Sequence, residues 1–191
     1  MDVREVVLVF VCVFCFGIVT ANAPKIIDRS GWGAKSSSKP LQSLAQNPVP
    51  YVIIHHSVTE PCNDEASCKR MVKVFQNDHM TRNHWDDIGY NFLIGGDGSV
   101  YEGRGWGKSG AHTRNYNNKS IGICVIGNYQ STLPKKEALD ALKDLIAWGV
   151  SQGQINGNYK LLGHKQVAAS QSPGAALYNE IKTWEHWSAS P

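Results

Sequence analysis

Two histidines and one serine are the side chains of this sequence that are best suited to chemistry. His55 and His164 each follow a short apolar run, where a strand would end, and Ser172 comes eight residues after His164. Two strand-end imidazoles and a third donor are what a catalytic zinc site needs, with a fourth position open for water. Ser172 supplies a neutral hydroxyl in place of a thiolate, a carboxylate or a third imidazole. Such a site is expected to lose most of its affinity for zinc, and with it the metal-activated water.

Nucleophilic catalysis by the serine is the alternative chemistry. Ser172 lies in residues 171–174 (QSPG), which do not form the G-x-S-x-G elbow of serine hydrolases. No acidic residue nearby in the sequence is an obvious orienting partner for His55 or His164, and a nucleophilic serine needs an oriented base. The sequence therefore argues against a serine hydrolase.

The strand that carries His55 organises the rest of the chain. Residues 51–57 (YVIIHHS) form an unbroken apolar run that ends in polar side chains, which is typical of a central strand buried on both faces. Alternation along this strand places His55 and Ser57 on one face and His56 on the other. Polar residues at the carboxyl end of such a strand lie where open α/β sheets bind ligands.

The remaining elements alternate between strands and helices. Residues 22–50 are predicted to be a mostly irregular arm that packs through Trp32, and the Gly-rich, aromatic segment 103–118 is predicted to be a functional loop. The fold class is therefore α/β, a single domain with a central mixed sheet flanked by helices. Further strands are expected at 90–94, 99–102, 119–127 and 159–162, and helices at 68–80, 134–150 and 173–184.

The first residues are predicted to be a secretory signal peptide. Residues 6–19 are apolar but short for a bilayer span, and small residues follow them. We expect residues 1–21 to be removed and residues 22–191 to form one secreted, extracellular domain without stable membrane insertion. A retained anchor helix is the alternative. Loss of residues 1–21 raises the formal charge from +3 to +4, and no Lys/Arg block of the kind that nucleic-acid binders carry is present.

Three cysteines remain in the predicted mature chain. Cys62 and Cys68 are six residues apart and can close a small disulfide loop in an oxidising compartment. Cys124 lies in an apolar strand, where a buried free thiol is expected. Their spacing is a weak match to a zinc finger.

Five segments of the chain resemble the peptidoglycan recognition proteins, which are relatives of zinc-dependent N-acetylmuramoyl-L-alanine amidases of phages and bacteria. The resemblance runs from about Ile26 to the C-terminus. The segments are 52–57 (VIIHHS), 87–95 (DIGYNFLIG), 101–106 (YEGRGW), 110–113 (GAHT) and 171–174 (QSPG).

The resemblance implies a binding protein and not an enzyme. Catalytic members hold zinc with histidines that match His55 and His164 and with a cysteine that matches position 172, and a tyrosine that matches Tyr90 assists. Ser172 replaces that cysteine here, as in non-catalytic family members that bind bacterial peptidoglycan and trigger immune signalling. We therefore expect no metal and no other cofactor. A zinc amidase or other peptidoglycan hydrolase with residual activity is the alternative.

The resemblance also implies a set of ligand contacts. Tyrosine and histidine rings offer a flat apolar body to a sugar, and asparagine can satisfy a peptide amide. His79 could instead be an ordinary helix residue, and Asn117 a turn former. The implied ligand-binding residues are His55, Ser57, His79, Asn83, His84, Trp85, Tyr90, Arg104, His112, Thr113 and Asn117.

The stem peptide of peptidoglycan carries Lys or diaminopimelate at its third residue, and the two differ by one carboxylate. In the family, a Gly-Trp pair before the Asp-Ile-Gly-Tyr motif, together with an arginine matching Arg104, marks diaminopimelate preference. This chain has His84 and Trp85 there, so the histidine adds bulk. A charge-assisted contact from Arg104 is worth roughly 1.5–3 kcal/mol, which favours diaminopimelate. The alternative is that Arg104 only stabilises a surface loop.

Overall fold

The computed structural model describes residues 23–191, so the predicted signal peptide lies outside the described residues. A single mixed sheet of six strands forms the centre of this part of the chain. The strands are β1 (Ile26–Ile27), β2 (Val49–His56), β3 (Phe92–Ile94), β4 (Val100–Glu102), β5 (Ser120–Val125) and β6 (Ile155–Gly163). The helices are α1 (Arg29–Trp32), α2 (Glu65–Thr81), α3 (Lys136–Ser151) and α4 (Ala175–Ile181), with a 3-10 turn at His164–Gln166.

The strand order is β1-β4-β3-β5-β2-β6. Strand β2 pairs in parallel with β5 and β6, while β3 and β4 form the predicted antiparallel hairpin. The α/β class with a mixed sheet is confirmed. Strand β2 lies next to the edge strand β6 and not at the middle of the sheet. It is nevertheless buried on both faces, because helices pack on each face of the sheet.

Helices cover both faces of the sheet. On one face α3 and α4 bury Leu142 and Leu177 against β2, β5 and β6. On the other face α2 and α1 bury Val72 and Trp32 against Leu93 and neighbouring side chains. Burial of each such apolar side chain contributes roughly 1.5–3 kcal/mol. The two layers hold the carboxyl end of β2 between them.

The disulfide between Cys62 and Cys68 is present, as predicted. It closes the loop that leads into α2. Cys124 is a buried free thiol, also as predicted, and burial raises its pKa to about 12. A thiol with so high a pKa is unreactive at neutral pH.

Helix α2 begins at Glu65, three residues before the predicted start at residue 68. The cause is a capping box, in which the Asp64 carboxylate accepts the Ser67 N–H at 2.9 Å and Ser67 Oγ accepts the Asp64 N–H at 3.3 Å. These bonds satisfy two backbone donors at the helix start. Helix α2 is therefore long enough to carry His79 in its last turn.

The N-terminal arm is more ordered than predicted. It contains β1 and the single turn of α1, which ends at Gly33 in a left-handed conformation with φ 74°. The indole of Trp32 is buried and donates to the Glu102 carbonyl at 2.8 Å, so the arm packs through this residue as expected. Strand β6 starts four residues earlier than expected, and α4 ends at Ile181, before Trp184.

None of the helices in residues 23–191 has both the length and the apolar composition required to cross a bilayer.

Candidate functional site

Four rings form a row beside α2, which we call the aromatic row: His55, Tyr90, His79 and Trp85. The centroids of successive rings lie 5.3, 5.7 and 4.8 Å apart. His55 comes from the end of β2, and His79 from the last turn of α2. Ring faces at this spacing suit a ligand that alternates apolar and polar groups.

Hydrogen bonds fix the orientation of the His79 ring. Its Nδ1 accepts the Gly89 N–H at 3.0 Å, and Trp85 N–H donates to the His79 carbonyl at 3.0 Å. Burial lowers the pKa of His79, so the ring is neutral at neutral pH and can accept this bond. The aromatic row is therefore held in place before any ligand arrives.

The ring of His112 contacts the ring of His55 and helps to fix its position. Nε2 of His55 lies 3.2 Å from Nδ1 of His112 and 3.4 Å from Oγ1 of Thr113. Burial, followed by the charge that His112 would carry, lowers the pKa of His55 well below its usual range. Burial also lowers the pKa of His112, to about 3. Both rings are therefore neutral, and a donor at Nε2 of His55 leaves the lone pair at its Nδ1 available.

The His112 ring lies against backbone that only glycine permits. A Cβ at Gly110 or at Gly122 would collide with this ring. Asn117 fixes the other side, because its Oδ1 accepts the N–H groups of His112 and Thr113 at 2.8 and 2.7 Å. Asn117 is thus a turn former, which is the alternative role that the sequence left open. Its side-chain nitrogen makes no hydrogen bond within this turn.

Tyr90 lies between His55 and the buried thiol of Cys124. Burial raises the pKa of Tyr90 well above its usual range, and a contact with Cys124 adds to this effect. The phenol is therefore neutral at physiological pH. Tyr90 therefore contributes a ring face, and not a charged oxygen, to the aromatic row.

We call His55, His164 and Ser172 the histidine–serine trio. The rings of His55 and His164 lie 4.3 Å apart, and Ser172 is nearly buried. The Ser172 hydroxyl oxygen accepts the backbone N–H of His56 at 3.1 Å. A neutral hydroxyl that already accepts a backbone proton is a poor ligand for zinc, so the trio does not fit the metal of the amidases. Within residues 23–191, no three His, Cys, Asp or Glu side chains converge as a metal site.

Arg104 lies in a polar cavity of about 470 Å³ beyond the far end of the aromatic row. Its Nε donates to the Ile88 carbonyl at 2.7 Å and its Nη1 to the Ser109 carbonyl at 2.9 Å. Burial lowers its pKa, which still leaves the guanidinium charged. Nη1 and Nη2 together keep free N–H groups, so the end of the fork remains able to bind a carboxylate. We call this space the Arg104 cavity.

The N-terminal arm forms one wall of the Arg104 cavity, which Lys39 and Gln42 line. The wall is attached on both sides, because Ser38 N–H donates to the Asp86 carbonyl at 2.8 Å and Ser109 N–H donates to the Gln42 carbonyl at 2.8 Å. The functional loop and the arm thus form one structure around Arg104.

Comparison with known proteins assigns this site to a family. A profile of the N-acetylmuramoyl-L-alanine amidases matches residues 45–175. Peptidoglycan-recognition protein 2 of Holotrichia diomphalia is 44% identical over 174 residues, which cover 91% of this chain and 92% of that protein. The chain belongs to the peptidoglycan recognition proteins. The resemblance found in the five segments is thereby confirmed.

Solved structures of peptidoglycan recognition proteins share the fold. Bumblebee PGRP-SA superimposes with a TM-score of 0.85 at 47% identity, over 88% of this chain and 100% of that one. Peptidoglycan recognition protein LE superimposes with a TM-score of 0.84 at 44% identity, over 85% and 95% of the two chains. That protein was solved in complex with tracheal cytotoxin, a monomeric diaminopimelic acid-type peptidoglycan.

Seven predicted ligand contacts of this family member lie outside the aromatic row: His112, Thr113 and Asn117 support the row, Arg104 and His84 line the Arg104 cavity, and Ser57 and Asn83 do neither. Ser57 is bound elsewhere, because its hydroxyl accepts the Gly127 N–H at 2.8 Å and contacts the Thr59 hydroxyl at 2.8 Å. Asn83 and His84 are exposed in the turn after α2. His84 has a φ of 57°, a left-handed conformation that favours glycine. A histidine at position 84 is therefore unfavourable because of its backbone conformation. The sequence suggested only that its side chain adds bulk.

Two supporting residues, Asn91 and Arg29, were not predicted from the sequence. Asn91 is fully buried, and its Nδ2 donates to the Gly105 and Lys108 carbonyls at 3.1 and 2.8 Å, which fixes the functional loop. Arg29 pairs with the buried Asp87 carboxylate at 2.8 Å, which holds the turn before Tyr90. Asn91 directly follows Tyr90, so a polar residue at the start of an apolar strand was a usable signal. Arg29 is too distant in sequence to have been found.

Proposed function

We propose that this protein is a secreted innate-immune receptor that binds bacterial peptidoglycan without cleaving it. Ser172 is the observation that carries the proposal, because it stands where the zinc-dependent relatives need a thiolate. The aromatic row beside it is complete. A site that can hold a muropeptide but has no means to activate water is suited to recognition.

The aromatic row accounts for ligand binding. His55, Tyr90 and His79 present ring faces to a muropeptide, while Thr113 and Asn117 support the row through His112. The Asn117 side-chain nitrogen remains available for a peptide carbonyl. Peptidoglycan recognition by the family as a whole supports this assignment, and no nucleic acid or membrane is needed as a partner.

The Arg104 cavity supports a preference for diaminopimelate-type peptidoglycan. The free end of the guanidinium fork can pair with the extra carboxylate of that residue. Lys39 Nζ lies 3.9 Å from Oδ1 of Asp86, the one carboxylate among the residues that line the cavity, so these two charges balance and the guanidinium of Arg104 supplies the net positive charge. A relative bound to diaminopimelic acid-type peptidoglycan has the same fold. Arg104 thus both secures the loop and keeps a binding end free.

Signalling would follow from binding, through protein partners of an immune cascade. The disulfide between Cys62 and Cys68 is consistent with an oxidising, extracellular location.

The proposal is tested by measuring binding and cleavage on the same preparation. Titration calorimetry with muramyl tripeptides that carry diaminopimelate or Lys should show binding to both, with the diaminopimelate form roughly tenfold tighter. Mass spectrometry after incubation with added zinc should show intact ligand. Release of free stem peptide would instead establish a residual amidase and overturn the receptor assignment.

A further inference from the structure

The turn that leads into β5 contains a modification motif that peptidoglycan binding does not use. Residues 118–120 (NKS) match the Asn-x-Ser/Thr acceptor sequence for N-linked oligosaccharides, in which the middle residue is not proline. Asn118 is the one asparagine of the sequence that stands in such a motif. Because so short a motif also occurs by chance, the surroundings of Asn118 decide whether it has this role.

Asn118 lies at the surface of the fold. Its side chain is exposed, and within residues 23–191 that side chain makes no hydrogen bond. The backbone of the turn is nevertheless fixed, because the Ala45 N–H donates to the Asn118 carbonyl at 2.8 Å and the Lys119 N–H donates to the Tyr116 carbonyl at 3.0 Å. The carboxamide of Asn118 is therefore accessible on an ordered turn, as an oligosaccharide at the protein surface requires.

The neighbouring asparagine shows the opposite use of the same side chain. Oδ1 of Asn117 accepts the N–H groups of His112 and Thr113 at 2.8 and 2.7 Å, so this carboxamide is part of the fold. The carboxamide of Asn118 supports no such bond in the part of the chain that the structure describes. A sugar on Asn118 would therefore remove no contact that holds the loop.

The third residue of the motif limits when the modification can take place. Ser120 is fully buried, and its hydroxyl donates to the Tyr116 carbonyl at 2.8 Å. An oligosaccharide transferase recognises this hydroxyl together with the acceptor carboxamide, so the motif is closed to the enzyme in the folded protein. Strand β5 pairs with β2 and β3, and pairings between segments far apart in the chain form slowly. The transfer must therefore precede the entry of β5 into the sheet.

The position of Asn118 keeps an attached sugar away from the aromatic row. Ser120 pairs with Tyr51, which lies four residues before His55 on β2, so these two levels of the sheet are roughly 13 Å apart. Asn118 is also not among the residues that line the Arg104 cavity. An oligosaccharide at this position would cover the amino ends of β2 and β5 and leave the ligand groove open.

We infer that Asn118 carries an N-linked oligosaccharide in the secreted protein. This inference rests on the proposed function only for secretion, since the transfer takes place in the secretory compartment. The Asn118 amide nitrogen forms a bond to C1 of the first N-acetylglucosamine, and the bond from C1 to the diphosphate of a lipid-linked oligosaccharide breaks. The nitrogen loses one proton and the lipid diphosphate leaves, with no change of oxidation state.

The test is to express the full chain, residues 1–191, in cultured insect cells and to purify the protein from the medium. Treatment with a peptide N-glycosidase should increase the gel mobility of the wild type, and mass spectrometry should find position 118 converted to aspartate by the enzyme. Asn118→Gln should be secreted with the mobility of the treated wild type and should show no shift on treatment. Ser120→Ala should also lose the shift, whereas Ser120→Thr keeps the motif and should retain it.

Asn158→Gln is the matched control, because Asn158 is also exposed but is followed by Tyr159 and Lys160 and so lies outside any motif. It should shift like the wild type. A wild type that reaches the medium unmodified, or an Asn118→Gln variant that still shifts, would overturn the assignment and leave the proposed receptor function intact. Absence of the wild type from the medium would contradict secretion, and the inference with it. Calorimetry of the secreted wild type with a muramyl tripeptide tests peptidoglycan binding separately.

Discussion

The aromatic row and the histidine–serine trio share His55 but differ in what each retains of a family site. The row has four rings in mutual contact, with supporting hydrogen bonds from Gly89 and His112. The trio has two rings and a hydroxyl that accepts a backbone proton. The difference lies in Ser172, which belongs to the trio alone, so a substitution at this residue can test metal binding while the rings of the row stay unchanged.

Restoring the thiolate should have the largest effect and would remove the difference between the two regions. In Ser172→Cys, a cysteine next to two neutral imidazoles completes a three-ligand zinc site, and zinc affinity should rise on the order of 10³-fold. Metal content after equilibrium dialysis measures this change. Ser172→Ala serves as the control and should remain as poor in zinc as the wild type. A cysteine variant that takes up no zinc would show that the trio is misassigned.

Removing the central ring should damage only the aromatic row. Tyr90→Ala deletes the face between His55 and His79, which should weaken muropeptide binding by about 2 kcal/mol, or roughly 30-fold. Tyr90→Phe keeps the ring and should bind within about threefold of the wild type, because the phenol is buried near Cys124. Calorimetry compares the two. Equal losses in both variants would mean that the hydroxyl, and not the ring face, binds the ligand.

Substitution of Arg104, beyond the far end of the aromatic row, should alter the selectivity between diaminopimelate-type and Lys-type ligands more than the overall affinity. Arg104→Lys keeps a positive charge but loses the fork, so binding of the diaminopimelate ligand should fall about tenfold. Binding of the Lys-type ligand should change by less than about threefold. The same exchange at the exposed Arg70, Arg70→Lys, is the matched control and should leave both affinities unchanged. An equal loss for the two ligands would indicate that Arg104 only supports its loop.

The smallest effect concerns the pH dependence of stability. Because burial lowers the folded-state pKa of His79 below the ordinary 6.5, the unfolded chain takes up this proton at a higher pH than the folded one. The contribution of the neutral ring is therefore complete above pH 6.5 and is lost as the pH falls toward the folded-state pKa.

Urea unfolding at pH 7.5 and pH 5 measures that loss for the wild type and for His79→Gln, which keeps an acceptor for the Gly89 N–H. The variant should lose less stability between the two pH values, by no more than about 1 kcal/mol. A variant as pH-sensitive as the wild type would show that His79 does not contribute.

The sequence was sufficient for features that depend on neighbouring residues. The apolar run ending at His55 predicted a buried strand, and the spacing of Cys62 and Cys68 predicted their disulfide, because both signals are local. The rings of His55 and His164 lie close together because the ends of the parallel strands β2 and β6 meet at one edge of the sheet.

Features that depend on tertiary contacts could not be predicted from the sequence. Ser57 was expected beside His55, but the turn to Gly127 takes its hydroxyl. The left-handed backbone of His84 is not visible in residue type, because histidine rarely adopts it. The ion pair of Arg29 with Asp87 joins positions far apart in the chain, and no periodicity marks such pairs.

The wall of the Arg104 cavity that the N-terminal arm forms has a consequence for how this domain can diversify. The amidase profile begins at residue 45, whereas Lys39 and Gln42, which face Arg104, precede it. The N-terminal arm, which lies before the residues matched by the amidase profile, therefore forms one wall of the Arg104 cavity. Residues 34–44 belong to no strand of the sheet, so substitutions there can reshape this wall of the Arg104 cavity without altering a strand.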